Sequence, residues 1–578
     1  MAQARGNLGI NNTYHPCILF HTPSMSPSDT KQKMSAESNR QDVDGENPVE
    51  PNETDALLEK KEAVSTANPI RWLYNLQKHF GFKLLALLFI TQHLLKGFVM
   101  SLAGQAEPYL MRKYGVPAPQ MQIYSGITQL PWALKPIIGL ISDVFPIMGY
   151  NKAPYLVIVS CFGTVAYLLI GLMSSAVLSV SFLVLFLFVA SLQNSTCDLL
   201  SEAKYAEKMR TVPDHGPALL TYVWFGMQAG GLVAVGMSGA IIHNFSPKVP
   251  FVIAAIPSFA VFAAVLAGFL EESKVTEAAL AEKRAFFREQ KEACILCIVM
   301  LICSFILIIT GLTFQSPVAN GIVAIIVFFV VLFGFSVMLT PLIAKFNAYS
   351  LIQASLSWSI GGAAYFFYTD NEEQYPEGPH FSEYFFNSVM GVIGSIVSLV
   401  GIITYQRFFS NWSYRTLLVV ANVALSFFSL LDIVVFTRTN IKMGIGDRTF
   451  VLGSSVLAQI IYQWQWMPQV VILSYLCPKG MEATMYALLA GCHNLGNTIA
   501  SSCGALLLHG LNVKPSGATA ESKMFENLWV ASLCSTVLPL ATIVLLFKLI
   551  PPATQTSNLV QGDATTGSLW RRWQGRDD

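Results

Sequence analysis

Lys135 lies between Pro131 and Pro136 and beside Trp132, in the otherwise apolar run Gln129-Leu-Pro-Trp-Ala-Leu-Lys135-Pro136. An ionised side chain at the centre of a bilayer costs about 2.5–3.5 kcal/mol on insertion scales, so it faces a partner or an aqueous cavity. Proline removes a backbone donor and kinks a helix, and membrane proteins accept such breaks where a cavity is lined. A lysine there, next to an indole, has the chemistry to hold an anionic, planar ligand. The other reading is a structural lysine paired with an acid on a neighbouring helix.

Further ionisable groups sit where lipid should forbid them. Lys96 and Glu107 share one apolar segment, and at about 100° per residue they fall within roughly 20° of one helix face. They are too far apart along the axis to pair, so each needs a different partner. Asp198 and Glu202 are spaced i,i+4, which puts both carboxylates on one face. Two like charges that close favour holding one proton between them, which suits a proton carrier; the alternative is a helix end whose acids pair with Lys204, Lys208 and Arg210. Asp432 is alone in Ser429-Leu-Leu-Asp432. Gln463, Trp464, Gln465 and Trp466 offer amides to the edge of a heterocycle and indoles to its face. His493 reads as an interhelical histidine.

The elements that must position these groups follow from composition. The 578 residues are 53% hydrophobic and only 12% charged, against about a quarter charged in soluble domains. Lipid is one solvent of this chain. A net charge of +1 gives no support to nucleic-acid binding, which wants a basic domain with clustered Lys and Arg. Most of the ten cysteines lie in apolar runs; Cys294 and Cys297 form a lone C-x-x-C with no second pair to complete a metal site. No metal and no cofactor is expected. Nor does any nucleophile–base grouping of an enzyme occur.

Spans of about 20 apolar residues are expected near 84–111, 119–143, 153–173, 179–200, 216–242 and 250–270. Two more fall near 293–314 and 320–341, and six near 349–369, 383–406, 415–437, 449–476, 483–509 and 526–550. The layout is six, two, six. It divides the chain into a disordered tail (1–70), a six-helix half (84–270), a charged linker (271–292), two extra helices (293–341), a second half (349–550) and a C-terminal tail (551–578). Lys and Arg placement, with Arg71, Lys78, Lys83, Lys283, Arg284 and Arg407 among the inner flanks, puts both termini in the cytosol. Both halves carry a Gly-rich fifth helix, Gly226-Met-Gln-Ala-Gly230-Gly231 and Gly491-Cys-His-Asn-Leu-Gly496. Related halves are the pattern of a rocking transporter with a midplane site; most of the glycines need only allow close packing. Glu53-Thr-Asp-Ala-Leu57-Leu58 has the form of an acidic dileucine signal for a sorting adaptor, which leaves an acidic organelle as the alternative to the plasma membrane.

Several motifs are familiar. Gly139-Leu-Ile-Ser-Asp143, with the turn to Gly149-Tyr-Asn-Lys152, resembles the cytosolic signature between the second and third helices of the major facilitator superfamily. The longer run from Pro131 to Tyr150 resembles the hallmark of the folate–biopterin transporter family. Asp198-Leu-Leu-Ser-Glu202-Ala-Lys-Tyr-Ala-Glu207, Tyr365-Phe-Phe-Tyr-Thr-Asp370 and Pro478-Lys-Gly-Met-Glu482-Ala-Thr are similar to its other signatures. The two extra helices, with Tyr375-Pro-Glu-Gly-Pro-His380, look like its protozoan and related eukaryotic branch.

The resemblance implies an all-α membrane protein of the facilitator type, with two six-helix halves, two extra central helices and about 14 spans. It implies a carrier of folate, biopterin or a related pteridine, driven by protons. In that reading Lys135 and Lys96 hold a substrate carboxylate, while Trp132, Gln463, Gln465 and Trp466 hold the ring. Glu107 also lines the site; Asp198, Glu202 and Asp432 couple protons; Asp143, Lys152, Glu207 and Glu482 gate one side. The alternatives are a same-fold carrier of another metabolite such as S-adenosylmethionine, and a membrane receptor that does not transport. A cationic cargo would make Lys135 structural and Glu107, Asp198 and Asp432 the contacts.

Overall fold

The computed structural model describes residues 68–477, 482–555 and 565–575; Glu53, Leu57 and Leu58 lie outside them. Helix α1 (Pro69–Phe80) starts where the Asn68 side chain accepts from the free backbone N–H groups of Ile70 and Arg71, with proline at its first position. It ends at Gly81, whose φ of +82° a residue with a Cβ would resist. Its Leu76 and Phe80 bury against Leu219, Leu220 and Val223.

The first half then runs through α2 (Phe82–Lys113), α3 (Ala118–Ala133), α4 (Lys135–Val144), α5 (Ala153–Leu172), α6 (Val180–Thr211), α7 (Gly216–Asn244) and α8 (Val249–Leu266). A linker helix α9 (Glu277–Glu289) leads to the added pair α10 (Lys291–Thr313) and α11 (Pro317–Met338). The second half comprises α12 (Pro341–Leu356), α13 (Gly361–Thr369), α14 (Tyr384–Phe409), α15 (Tyr414–Phe436), α16 (Asp447–Tyr475), α17 (Glu482–Gly510) and α18 (Ser522–Leu549). Among the described residues, ten helices are long and apolar enough to cross a membrane. The four other expected spans are helical but broken, at Leu134 and between Leu356 and Gly361, or rich in polar groups, as α16 and α17 are. Such helices survive at membrane depth only when protein or a water-filled cavity covers them. Nearly every side chain of α3 and α13 is buried, whereas α10 and α11 expose Ile302, Phe305, Phe329 and Phe333.

The halves meet where α3 packs on α17 and α7 on α14. Close approach is built from glycine: a Cβ on Gly491 of α17 would lie 2.8 Å from the carbonyl oxygen of Ala133. Helix α10 lies on α3 and α4, and α11 on α17 and α12. The added pair therefore covers the α3–α17 seam, one member on each half.

The linker is fastened to the end of the first half that carries Asp143. The Glu272 carboxylate accepts from the backbone N–H groups of Asn151, Lys152 and Ala153 at 3.0, 2.9 and 2.8 Å. These are unpaired donors at the start of α5, where a negative charge is favoured. Lys283 Nζ lies 2.6 Å from Asp143 Oδ1, and Arg284 donates to the Val144 carbonyl.

At the opposite end the two halves are laced together. Arg112 pairs with Asp370 at 2.9 Å and donates to the Thr369 carbonyl. Ala118 N–H donates to the Pro515 carbonyl at 2.9 Å, and Gln122 Oε1 accepts from Ser359 and Gly362. Gly239 N–H donates to Ser388, and His243 meets Glu383 at 3.1 Å. Burial pushes the Asp370 carboxyl up to about 7, with the Arg112 charge opposing the shift.

Candidate functional site

Pro136 decides the local shape of the α3–α4 break. It has no N–H to give the carbonyl four residues back, and its ring crowds that carbonyl. The helix opens at Leu134 (φ −88°, ψ −4°), and Lys135 becomes the first residue of α4. The Trp132 carbonyl, which Pro136 leaves without a helical donor, accepts instead from the Asn494 side chain of the other half at 3.4 Å.

Lys135 turns toward α6. Its Nζ lies 2.6 Å from Asp198 Oδ2, and Lys96 Nζ lies 2.7 Å from Oδ1 of the same carboxylate. Gln92 donates to Asp198 Oδ1 at 3.1 Å and to Ser201 at 2.7 Å. Gln92 and Lys96 both fall in a π-helical stretch, Phe89–Val99, a wider turn common at functional sites. Glu202 is one turn beyond Asp198, 3.5 Å from Lys96 and 3.9 Å from Lys135. The Asp198 side chain is 0% exposed and that of Glu202 24%.

Two ammonium groups thus face two carboxylates, and the cluster is neutral. Removing such charges from water costs several kcal/mol per ion, recovered only through close, well-bonded geometry. Asp198 has that geometry; Glu202 is more distant and more exposed. The lysines also lie near indoles, Lys135 at 4.7 Å from the Trp132 ring centre and Lys96 at 5.8 Å from Trp224, an added attraction for a cation.

In the second half the amides singled out in the sequence are occupied internally. Gln463 donates to Ser398 at 2.6 Å, Gln465 to Asn422 at 2.6 Å, and Trp464 to Thr404 at 2.9 Å. Trp466 differs. It lines a cleft with Phe346, Ser350, Gln469, Tyr486, His493 and Asn494 among its walls. Trp466 Nε1 and Gln469 Oε1 are buried with no hydrogen-bond partner among the described residues. An unmet donor and an unmet acceptor in one aromatic cleft are what a flat heterocycle with polar edges would satisfy. The His493 ring lies 5.2 Å from that of Trp466, and its Nδ1 is 2.9 Å from Ser350 Oγ. Asn494, on the cleft wall, is the residue that reaches Trp132. Through that contact the cleft adjoins the lysine cluster.

A family model described as "BT1 family" matches residues 96–566. The chain belongs to the BT1 family. It is 25% identical over 498 residues to "Probable folate-biopterin transporter 6" of Arabidopsis thaliana, covering 86% of this chain and 88% of that one. It is 27% identical over 454 residues to "Folate-biopterin transporter" of Synechocystis sp., covering 78% and 79%. To "Folate transporter 1" of Plasmodium falciparum it is 26% identical over 463 residues, covering 79% and 78%. Among solved structures, a point mutant of the nucleoside transporter NupG superposes with a TM-score of 0.53 at 12% identity, covering 80% of this chain and 99% of that one. A D-xylose-proton symporter gives 0.52 at 12% identity, covering 83% and 100%. The fold is of the major facilitator type expected from the sequence motifs, and this BT1-family chain is a multi-pass membrane transporter, not an enzyme.

The remaining residues of interest in this BT1-family transporter are dispersed. Glu107 accepts from Ser125 at 3.1 Å and Thr128 at 3.2 Å, away from the lysines. Asp432 is buried on α15, in the half opposite them. The structure does not join Asp143 to Lys152: Asp143 is held by Lys283, and Lys152 faces Glu207 at 3.6 Å. Glu482 opens α17, but its side chain lies outside the described residues. Phe346, Ser350, Gln469 and Tyr486 were not singled out in the sequence. Gln469 had a signal, since it follows Trp466 by three residues and so shares its helix face.

Proposed function

We propose that this BT1-family protein carries folate, biopterin or a related pteridine across a membrane by alternating access, driven by a proton gradient. The observation that carries the proposal is the contact between Asn494 and Trp132, which sets an aromatic cleft with unmet polar atoms beside a paired-lysine cluster. The pterin ring occupies the cleft, its edge meeting Trp466 and Gln469. A substrate carboxylate takes the place of Glu202 beside Lys96 and Lys135, while Asp198 stays as their anchor. The names of the Arabidopsis, Synechocystis and Plasmodium relatives support the cargo.

The lacing at the Arg112 end describes one of two alternating states, closed there. The Asp143 end faces the cytosol with both termini in this proposal, and the plasma membrane is the location, an acidic organelle being the alternative. Rocking then breaks the Arg112–Asp370 and Ala118–Pro515 contacts and closes the other end.

One observation favours a second reading. Lys135 is already satisfied by Asp198, as a structural lysine would be, which fits a cationic cargo such as S-adenosylmethionine. Uptake of labelled folate, biopterin and S-adenosylmethionine into proteoliposomes, with and without a pH gradient, separates the readings. Uptake of S-adenosylmethionine alone overturns the pteridine assignment.

A further inference from the structure

We infer that Glu107 is the residue that carries the driving proton, on the reading that the protein is a proton-coupled carrier. The candidates offered by sequence were Asp198, Glu202 and Asp432. Asp198 and Glu202 are the counter-ions of two buried lysines; a proton on either would leave an uncompensated ammonium in a low-dielectric site when the cavity is empty. Glu107 is differently placed. Among the described residues it belongs to none of the ion pairs of its half, and its partners are the hydroxyls of Ser125 and Thr128. Hydroxyls can donate to a carboxylate or accept from a carboxylic acid by rotating. The site therefore suits both protonation states without moving a charged neighbour.

The surroundings carry few competing groups. Helix α8, packed on this part of α2, has no titratable residue, and α7 has only Tyr222 and His243, near its two ends. Helix α3 contributes Tyr124. On α2 itself Lys96 is held by Asp198, Arg112 by Asp370, and Tyr109 lies against Tyr365 of α13. Across the seam, Glu383 of the second half meets His243.

The second observation is position. Ser125 and Thr128 flank Gly126, whose carbonyl accepts from Thr498 of the other half at 3.2 Å, and whose Cα faces Ser501. The hydroxyl shell of Glu107 is thus part of the α3–α17 seam. Separation of the halves at the Arg112 end would open that shell to water and let a proton enter or leave, so protonation and the position of the halves are linked through the same contacts.

The test uses full-length protein in proteoliposomes, with whichever of labelled folate, biopterin or S-adenosylmethionine the wild type exchanges. Glu107→Gln should keep counterflow exchange at equal pH within about twofold and lose at least tenfold of the accumulation driven by a pH gradient. Thr128→Val, which leaves the acid in place, should keep counterflow and displace the pH midpoint of the uptake rate. Gradient-driven accumulation by Glu107→Gln at the wild-type level, loss of counterflow in Glu107→Gln, or an unchanged midpoint in Thr128→Val overturns the assignment. Wild type that exchanges none of the three cargoes overturns the carrier reading as well; wild type that exchanges one without response to pH overturns only the proton site.

Discussion

The ammonium of Lys135 lies 2.6 Å from a carboxylate, Asp198, that is wholly sealed from solvent. Removing one partner of a buried pair strands the other, at about 3–5 kcal/mol. Lys135→Met leaves Asp198 its second partner, Lys96 at 2.7 Å, but one excess negative charge in the cluster, so stability should fall by less than that. Lys135→Met with Glu202→Gln restores the charge balance and should recover most of the loss in a thermal unfolding assay. Transport of a carboxylated cargo should stay absent in both. Wild-type uptake by the double variant would contradict the role of Lys135 in binding.

Trp466→Phe keeps an aromatic ring in the cleft and removes the buried N–H that has no partner among the described residues. If a substrate acceptor meets that N–H, its loss costs about 1–1.5 kcal/mol, read as an apparent KM for pteridine raised about tenfold. Stability should not change. Gln465→Ala should behave in the opposite way, because Gln465 is bonded to Asn422: a lower unfolding temperature with KM little altered.

Glu272 supplies three backbone hydrogen bonds at the start of α5. Glu272→Ala removes them and the favourable charge at that helix end, at about 2 kcal/mol. The expected readout is faster proteolysis of the segment between α8 and α10, with the α10–α11 pair still folded. Unchanged cleavage would show that the linker's other contacts, among them Lys283 to Asp143, Lys204 to the Glu271 carbonyl and Val275 N–H to the Gly149 carbonyl, suffice to hold it.

Asp370 gives a pH dependence whose sign can be stated. Its folded value of about 7 lies above the ordinary carboxylate value of 3.8, because burial disfavours the charge. The contribution to stability is therefore full below about pH 4 and is lost as pH rises through 7. The wild type should lose about 1–2 kcal/mol between pH 5.5 and 7.5 through this group, and Asp370→Asn should lose that part of the slope. Parallel pH profiles for the two proteins would rule it out.

The helices and the family were legible in the sequence because both are written locally: apolar runs of spanning length, and motifs such as the one from Pro131 to Tyr150. Partners on different helices were not. Helical geometry placed Lys96 and Glu107 on one face and required separate partners for them, and the structure supplies Asp198 to the first and two hydroxyls to the second. Nothing in the chain order indicates that residue 96 meets residue 198. The same limit explains Gln463 and Gln465, whose amides are taken by Ser398 and Asn422. It also explains Asp143, whose partner Lys283 sits 140 residues away in the linker.

The most direct test of the proposed cargo is competition in proteoliposomes holding the full-length protein. Uptake of labelled folate would be measured against excess unlabelled folate, biopterin and S-adenosylmethionine. The two-part site predicts inhibition by folate and biopterin, with biopterin weaker because it lacks the carboxylate that replaces Glu202, and no inhibition by S-adenosylmethionine. Folate uptake that S-adenosylmethionine blocks and biopterin does not would contradict it.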